Sequence, residues 1–140
     1  MTTKKARILC VDDQRNGLEG RQMLLEERGY DVLIATNGAT ALRLFSSHRV
    51  DLVLLDYLMP EMNGDVVARH MKAIHPDIPV VMLSAEDDLP ESALRSVDVF
   101  VSKSESPESL IKVVEHALGA NFLSSPVLEL EEGAGQQRIA

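Results

Sequence analysis

Asp51-Leu52-Val53-Leu54-Leu55-Asp56 is a run of four apolar residues between two acids, and Val80-Val81-Met82-Leu83 is a second uninterrupted apolar run. Strands that are apolar at every position are usually covered on both faces, which is the situation in a parallel sheet between layers of helices. Further apolar runs of strand length stand at 7–11, 32–35 and 97–101. We therefore expect five strands, at 7–11, 32–35, 51–55, 78–83 and 97–101.

Helical patterns separate the predicted strands. Apolar residues recur with helical spacing in 38–45, in 64–74 and most clearly in 106–119, and a weaker pattern occupies 14–28. Ser106 is the expected N-cap of the last helix, and Gly119 is its expected stop. Strands that alternate with helices predict an α/β fold, a doubly wound parallel sheet with helices on both faces.

Composition limits the classes of function. The chain has 140 residues, enough for one domain, and a net charge of −8 that disfavours nucleic acid and anionic membrane as partners. Its single cysteine, Cys10, excludes an intramolecular disulfide and is expected to be a buried apolar residue. With no apolar run that could serve as a signal peptide or membrane span, we expect a cytoplasmic protein. Residues 1–120 should form the domain, and 121–140 an acidic, flexible tail.

Polar residues follow four of the predicted strands. Asp12 and Asp13 follow the first strand, Asp56 the third, Ser84 the fourth, and Lys103 stands just beyond the fifth. Each alone has an ordinary interpretation as a cap, a turn residue or a surface charge, but the carboxyl ends of parallel strands meet at one edge. Three carboxylates together repel one another unless a cation neutralises them, and oxygen ligands suit Mg²⁺. With a lysine and a hydroxyl nearby, the pattern favours phosphoryl transfer to an acidic nucleophile.

Over roughly residues 6–119, the chain resembles a known family, the receiver domain of bacterial two-component response regulators. The motifs that carry the resemblance are Ile8-Leu9-Cys10-Val11-Asp12-Asp13, Asp51-Leu52-Val53-Leu54-Leu55-Asp56, Met59-Pro60-Glu61-Met62-Asn63-Gly64, Val81-Met82-Leu83-Ser84-Ala85 and Phe100-Val101-Ser102-Lys103. The resemblance implies a flavodoxin-like (βα)5 fold and a signalling protein that catalyses only its own phosphorylation and dephosphorylation. Because no output domain follows in this sequence, we expect a stand-alone receiver of the chemotaxis type.

The resemblance also implies residue roles. Asp56 would be the phospho-acceptor, and its phosphoryl group would come from a sensor histidine kinase or a phosphotransfer protein. Asp13 and Asp56 would ligate Mg²⁺ directly, Asp12 would act through water, and the backbone carbonyl of Leu58 would complete the protein ligands.

Three further residues would form the switch. Lys103 would pair with Asp56 at rest and with the phosphoryl oxygens afterwards. Ser84 would follow the phosphoryl group inward, and Phe100 would swing with it, although Phe100 has an alternative interpretation as a core residue of the fifth strand. The shift would bias a face made by the fourth helix, the fifth strand and the last helix toward an unidentified output partner. A homodimer is left open.

Some positions depart from the family pattern. Ser84 and Lys103 are 19 positions apart, and Arg95-Ser96-Val97-Asp98 replaces the usual glycine-alanine pair, so we expect a shortened fourth helix. Ser104 stands where the family has proline, which excludes a cis X-Pro bond there. Leu58 and Glu86 flank the phosphoryl site, and we expect them to alter the phosphoryl lifetime.

Two alternatives remain. A degenerate receiver could serve as a constitutive protein-interaction or dimerisation module; the short fourth helix favours this hypothesis, and the intact acid, serine and lysine set opposes it. An aspartyl phosphatase or dehalogenase would usually carry a second acid two residues after its nucleophile, where Leu58 stands.

Overall fold

The computed structural model describes residues 5–85 and 89–123, and Glu86 and residues 124–140 lie outside them. The elements are β1 (Arg7–Val11), α1 (Arg15–Glu27), β2 (Asp31–Ala35), α2 (Gly38–Ser47), β3 (Leu52–Asp56), α3 (Gly64–Ile74), β4 (Val80–Ser84), a 3-10 helix (Glu91–Leu94), β5 (Val99–Ser102) and α4 (Pro107–Leu123). Because the 3-10 helix takes the place of the predicted fourth helix, α4 is the last helix of the sequence prediction. The expected flexible tail stays a prediction.

All five strands lie in one parallel sheet with the order β2-β1-β3-β4-β5. The predicted doubly wound, flavodoxin-like fold is thereby confirmed. The strand order has its switch point between β1 and β3, because β2 lies on one side of β1 and β3 lies on the other. Cys10 of β1 pairs in register with Leu54 of β3. In sheets of this kind, ligands bind beyond the carboxyl ends of the strands at that switch point.

The apolar strands pack on both faces. Alternate residues such as Leu54 point to a core shared with α1 and α4, while Leu55 and its equivalents face α2 and α3. Every residue of β3 and β4 is buried. The two continuous apolar runs therefore occupy the middle of the sheet, as their composition predicts.

The link from β4 to β5 contains the shortened helix. Within the described part of this link, Glu91–Leu94 forms a four-residue 3-10 helix, which is the shortened fourth helix of the prediction. Pro90 precedes it with φ −65°, and a proline has no N–H to donate inside an α-helix. Ala93 is buried and the turn packs on α3.

The last helix begins as predicted but ends later. The Ser106 hydroxyl accepts a hydrogen bond from the Ser109 N–H at 3.1 Å, which confirms Ser106 as the N-cap. The prediction that Gly119 ends the helix is wrong, since α4 runs to Leu123. A glycine inside a helix costs only about 1 kcal/mol, so it does not by itself end one. No helix among the described residues has the length and apolarity needed to cross a bilayer.

Candidate functional site

The residues predicted to form the site meet at the carboxyl edge of the sheet. Asp56 and Ser84 are the last residues of β3 and β4, and Lys103 directly follows β5. Backbone pairing continues past the strand ends, because the Tyr57 N–H donates to the Leu83 carbonyl (3.0 Å) and the Lys103 N–H to the Ser84 carbonyl (2.8 Å). The sheet itself therefore positions these side chains.

Three carboxylates form a compact cluster. One oxygen from each of Asp12, Asp13 and Asp56 lies within 4.8 Å of the others. Asp12 and Asp56 are buried, and Asp13 is partly exposed. Burial raises the pKa of Asp56, the charges of Asp12 and Asp13 raise it further, and the hydrogen bond from Lys103 opposes the rise. The negative charge of the cluster is thus poorly solvated, and this condition favours the binding of a cation.

Lys103 bridges two of the acids. Its ammonium lies 2.8 Å from Asp56 Oδ1 and 3.1 Å from Asp12 Oδ2. The remaining oxygen of Asp12, Oδ1, accepts the Gln14 N–H at 2.9 Å. Both oxygens of Asp12 therefore already have donors from the protein. Asp13 has no hydrogen bond or ion pair with any residue in the described part of the chain, which leaves its carboxylate open to the solvent side of the cluster.

A second cation at the cluster was missed by the sequence reasoning. The Arg21 guanidinium forms an ion pair with Asp12 Oδ2, and the arginine side chain is only 16% exposed. The signal was present in α1, since Leu18, Arg21 and Leu25 share one helix face at the spacing of an apolar stripe. A charge within a buried stripe indicates a buried partner.

A cavity of about 430 Å³ opens onto the acids. Its lining includes Asp13, Asp56, Ser84 and Lys103, together with Leu58, whose side chain is 52% exposed at the rim. Ser84 is buried at the base of this lining. The arrangement offers carboxylate oxygens, an ammonium and a hydroxyl to one small ligand, which suits a tetrahedral anion bound with a cation.

The loop from β3 to α3 closes one side of the cavity. The Gly64 N–H donates to the Tyr57 carbonyl at 2.7 Å, so α3 begins directly against the end of β3. The Asn63 side chain accepts the Met59 N–H at 3.2 Å and holds the loop from inside. Glu61 has φ 71°, a left-handed conformation that is uncommon outside glycine. The loop is therefore held in one shape beside Asp56.

Two predicted features lie beside the cavity rather than in its lining. Phe100 is buried inside β5, where it pairs in register with Met82. After Lys103, the Ser104 N–H donates to the Ser102 hydroxyl at 3.2 Å, and the described residues contain no cis peptide bond. A serine turn thus occupies the position at which the family has proline.

Comparison with known proteins gives the family of this chain. The model of the response regulator receiver domain matches residues 8–115. The chain belongs to this family. Receiver domains are signalling modules of two-component systems that interact with histidine kinases and output domains, and they bind Mg²⁺ at an acidic pocket. In this receiver domain, the all-oxygen donor set of the acid cluster fits that ion.

The relatives include transcription regulators and separate receiver domains. Transcriptional regulatory protein GlrR of Escherichia coli is 31% identical over 84% of this chain and 27% of its own length. DNA-binding response regulator MtrA of Mycolicibacterium smegmatis is 36% identical over 86% of this chain and 54% of its own. The receiver domain thus spans a quarter to a half of these relatives.

Two solved structures share the fold. A CheY-like receiver domain protein from Methanospirillum hungatei superimposes with a TM-score of 0.82, at 25% identity, over 87% of this chain and all of that one. The response regulator TrrA of Thermotoga maritima, solved in complex with Mg²⁺-BeF, has a TM-score of 0.74 and 34% identity over 80% of this chain and 98% of its own.

Proposed function

We propose that this receiver domain accepts a phosphoryl group on Asp56, in the cytoplasm, from a sensor histidine kinase or a phosphotransfer protein. Mg²⁺ would be held by Asp13, Asp56 and the Leu58 backbone carbonyl, with Asp12 acting through water. The observation that carries the proposal is the placement of three carboxylates within 4.8 Å of one another beside the Lys103 ammonium. The three donors already on Asp12, from Gln14, Lys103 and Arg21, support an indirect role for that acid.

The chain's own groups account for the steps of transfer. A carboxylate oxygen of Asp56 attacks the phosphorus of a phosphohistidine, a P–O bond forms, and the P–N bond breaks with its electron pair returning to the imidazole. Bound Mg²⁺ would neutralise the charge on the phosphoryl oxygens. The Lys103 ammonium, 2.8 Å from Asp56 Oδ1, is in reach of those oxygens, and the Ser84 hydroxyl lines the same cavity as a further donor.

The output would pass through β5. A phosphoryl group that binds Ser84 and Lys103 favours the arrangement in which these two groups face it, and so shifts the population toward that state. Phe100 lies in β5, the edge strand that pairs with β4 and that stands between the 3-10 helix and α4 in the chain. The surface that would respond is the one made by the 3-10 helix, β5 and α4. We propose that this surface contacts the output partner. A second copy of the chain is one candidate for that partner.

One observation favours a different function. The 3-10 turn at Glu91–Leu94, in the described part of the link between β4 and β5, leaves less surface there than an α-helix would provide. A degenerate receiver would use the remaining surface constitutively and would show no dependence on a phosphodonor.

Intact-protein mass spectrometry with acetyl phosphate, and with beryllofluoride as the stable mimic, separates the two functions. The variants are Asp56→Asn and, as a matched control, Asp65→Asn, which changes a carboxylate in the first turn of α3 outside the cluster. We expect a Mg²⁺-dependent adduct on the wild type and on the control, and none on Asp56→Asn. Full labelling of Asp56→Asn contradicts the assignment of the acceptor, and no adduct on the wild type favours the degenerate module.

The metal assignment has its own test. Asp13→Ala should weaken Mg²⁺ binding strongly, because it removes a carboxylate that has no other partner within the described residues. Unchanged affinity in a titration of this variant would place the ion elsewhere.

A further inference from the structure

Asp12 is held by two cations from different elements. Lys103 reaches Asp12 Oδ2 from the end of β5 at 3.1 Å, and Arg21 reaches the same oxygen from α1. Asp12 is 1% exposed, so each of these charges acts where water screens it poorly. Lys103 also serves Asp56, whereas the only carboxylate with which Arg21 forms an ion pair, among the described residues, is Asp12.

Arg21 lies beside a glycine of α1 and an open cavity. Gly17 precedes Arg21 by one helical turn, and a Cβ at Gly17 would be in ordinary van der Waals contact with the guanidinium at 3.7 Å and with Asp12 Oδ2 at 3.9 Å. Arg21 and Lys103 also line a cavity of about 460 Å³ between α1 and the start of α4, with Gly17 and Gly20 in its wall. The guanidinium therefore has open space into which it can turn.

Arg21 changes the charge that a cation meets. Three ionised acids and Lys103 sum to −3 + 1 = −2, and Arg21 reduces this to −2 + 1 = −1. A divalent cation bound among the acids would be repelled by the guanidinium through a poorly solvated interior. The same guanidinium stabilises the acids when no metal is bound.

We propose that Arg21 is a positioning residue that acts through Asp12 as a built-in counter-cation, and that it opposes Mg²⁺ binding. The inference rests on the proposed metal site. It makes Mg²⁺ affinity a property of α1 as well as of the acids, since any change that turns the guanidinium away from Asp12 strengthens Mg²⁺ binding.

The test measures Mg²⁺ affinity by titration calorimetry and by the fluorescence of Tyr57, which directly follows Asp56. Arg21→Gln removes the charge and Arg21→Lys retains it. Arg15→Gln removes the same charge from an exposed position of α1, where Arg15 pairs only with Glu19 at 3.9 Å within the described residues. We expect Arg21→Gln to bind Mg²⁺ about tenfold more tightly. Arg21→Lys should lie near the wild type, and Arg15→Gln within about twofold of it.

A second readout separates this role from simple packing. Denaturation with EDTA should show Arg21→Gln to be less stable than the wild type, because Asp12 loses a partner. Saturating Mg²⁺ should remove most of that difference, since tighter binding to the folded state stabilises it more. An equal loss with and without Mg²⁺ would mean that Arg21 only packs, and would overturn the inference.

The outcomes also separate this inference from the metal site itself. If the wild type binds Mg²⁺ and Arg21→Gln binds it no more tightly, only the role of Arg21 is refuted. If neither protein binds Mg²⁺, the proposed metal site is refuted and the inference falls with it. Binding by Arg21→Gln alone would support both.

Discussion

Gly64, the first residue of α3, lies directly against the backbone of the proposed phospho-acceptor. A Cβ at this position would stand 2.4 Å from the Asp56 carbonyl oxygen and 3.0 Å from the Tyr57 Cα. Both are backbone atoms at the end of β3, where Tyr57 is tied to the neighbouring strand by a hydrogen bond to Leu83. Gly64→Ala therefore forces either α3 or the end of β3 to move.

The size of this movement determines how much stability Gly64→Ala should lose. Real Cβ atoms essentially never approach within 3.0 Å, so the contact must open by at least 0.6 Å, the difference between 3.0 and 2.4 Å. Overpacking of this kind costs about 1–3 kcal/mol, and rigid backbone on both sides puts Gly64→Ala at the upper end, about 3 kcal/mol. The melting temperature should fall by about 10 °C. Displacement of Asp56 should also weaken Mg²⁺ binding.

Gly38→Ala is the matched control. Gly38 is likewise the first residue of a helix, but a Cβ there would meet Val67 Cγ2 at 2.8 Å and Met62 Sδ at 3.0 Å, which are side-chain atoms rather than strand backbone. The Met62 side chain is flexible, whereas the buried Val67 is stiff, so we expect Gly38→Ala to lose about 1–2 kcal/mol, less than Gly64→Ala. Urea denaturation followed by circular dichroism compares the two. The reasoning is refuted if Gly64→Ala loses no more stability than Gly38→Ala.

Four further outcomes follow from single contacts. Because burial raises the pKa of Asp56 above 3.8, ionisation of this acid lowers the stability of the metal-free fold as the pH rises through that pKa. Urea denaturation in EDTA should therefore give Asp56→Asn a higher free energy of unfolding than the wild type at pH 7. This difference should shrink toward pH 4, and an equal or lower stability of the variant at pH 7 contradicts the reasoning. Burial raises the pKa of Cys10 to about 12, so Ellman's reagent should label it only as the protein unfolds, and rapid labelling of native protein would disprove its burial. The Asn37 side chain accepts the Thr40 N–H at 2.8 Å, so Asn37→Ala should lose about 1 kcal/mol in thermal melts. No described atom would meet a Cβ at Gly20, so Gly20→Ala should gain about 0.5–1 kcal/mol, and a loss would indicate that the open space is used.

Most of the fold could be predicted from local pattern. The run at 52–55 is apolar at every position because β3 lies in the middle of the sheet with helices on both faces. The predicted ends of the strands agree with the structure to within about two residues, because the apolar side chains that mark a strand in the sequence are the ones that the sheet buries. The end of α4 was missed at Gly119 because a glycine inside a helix costs only about 1 kcal/mol and does not by itself end it.

The set of site residues was also accessible before the fold was known. Acids that follow β1 and β3 must share an edge, because parallel strands all end on the same side of the sheet. The sequence alone therefore determined the sheet, the edge at which the proposed chemistry takes place and the residue types gathered there.

Tertiary structure decided the charge balance and the spacing within that edge. Arg21 meets Asp12 across the interface between α1 and the sheet, and the start of α3 meets Asp56 through a glycine with no room for a side chain. No repeating pattern in the sequence predicts either contact, because each depends on the distance between two packed elements. Distances of this kind, and the pKa of Asp56 that depends on them, are set only when the helices pack against the strands.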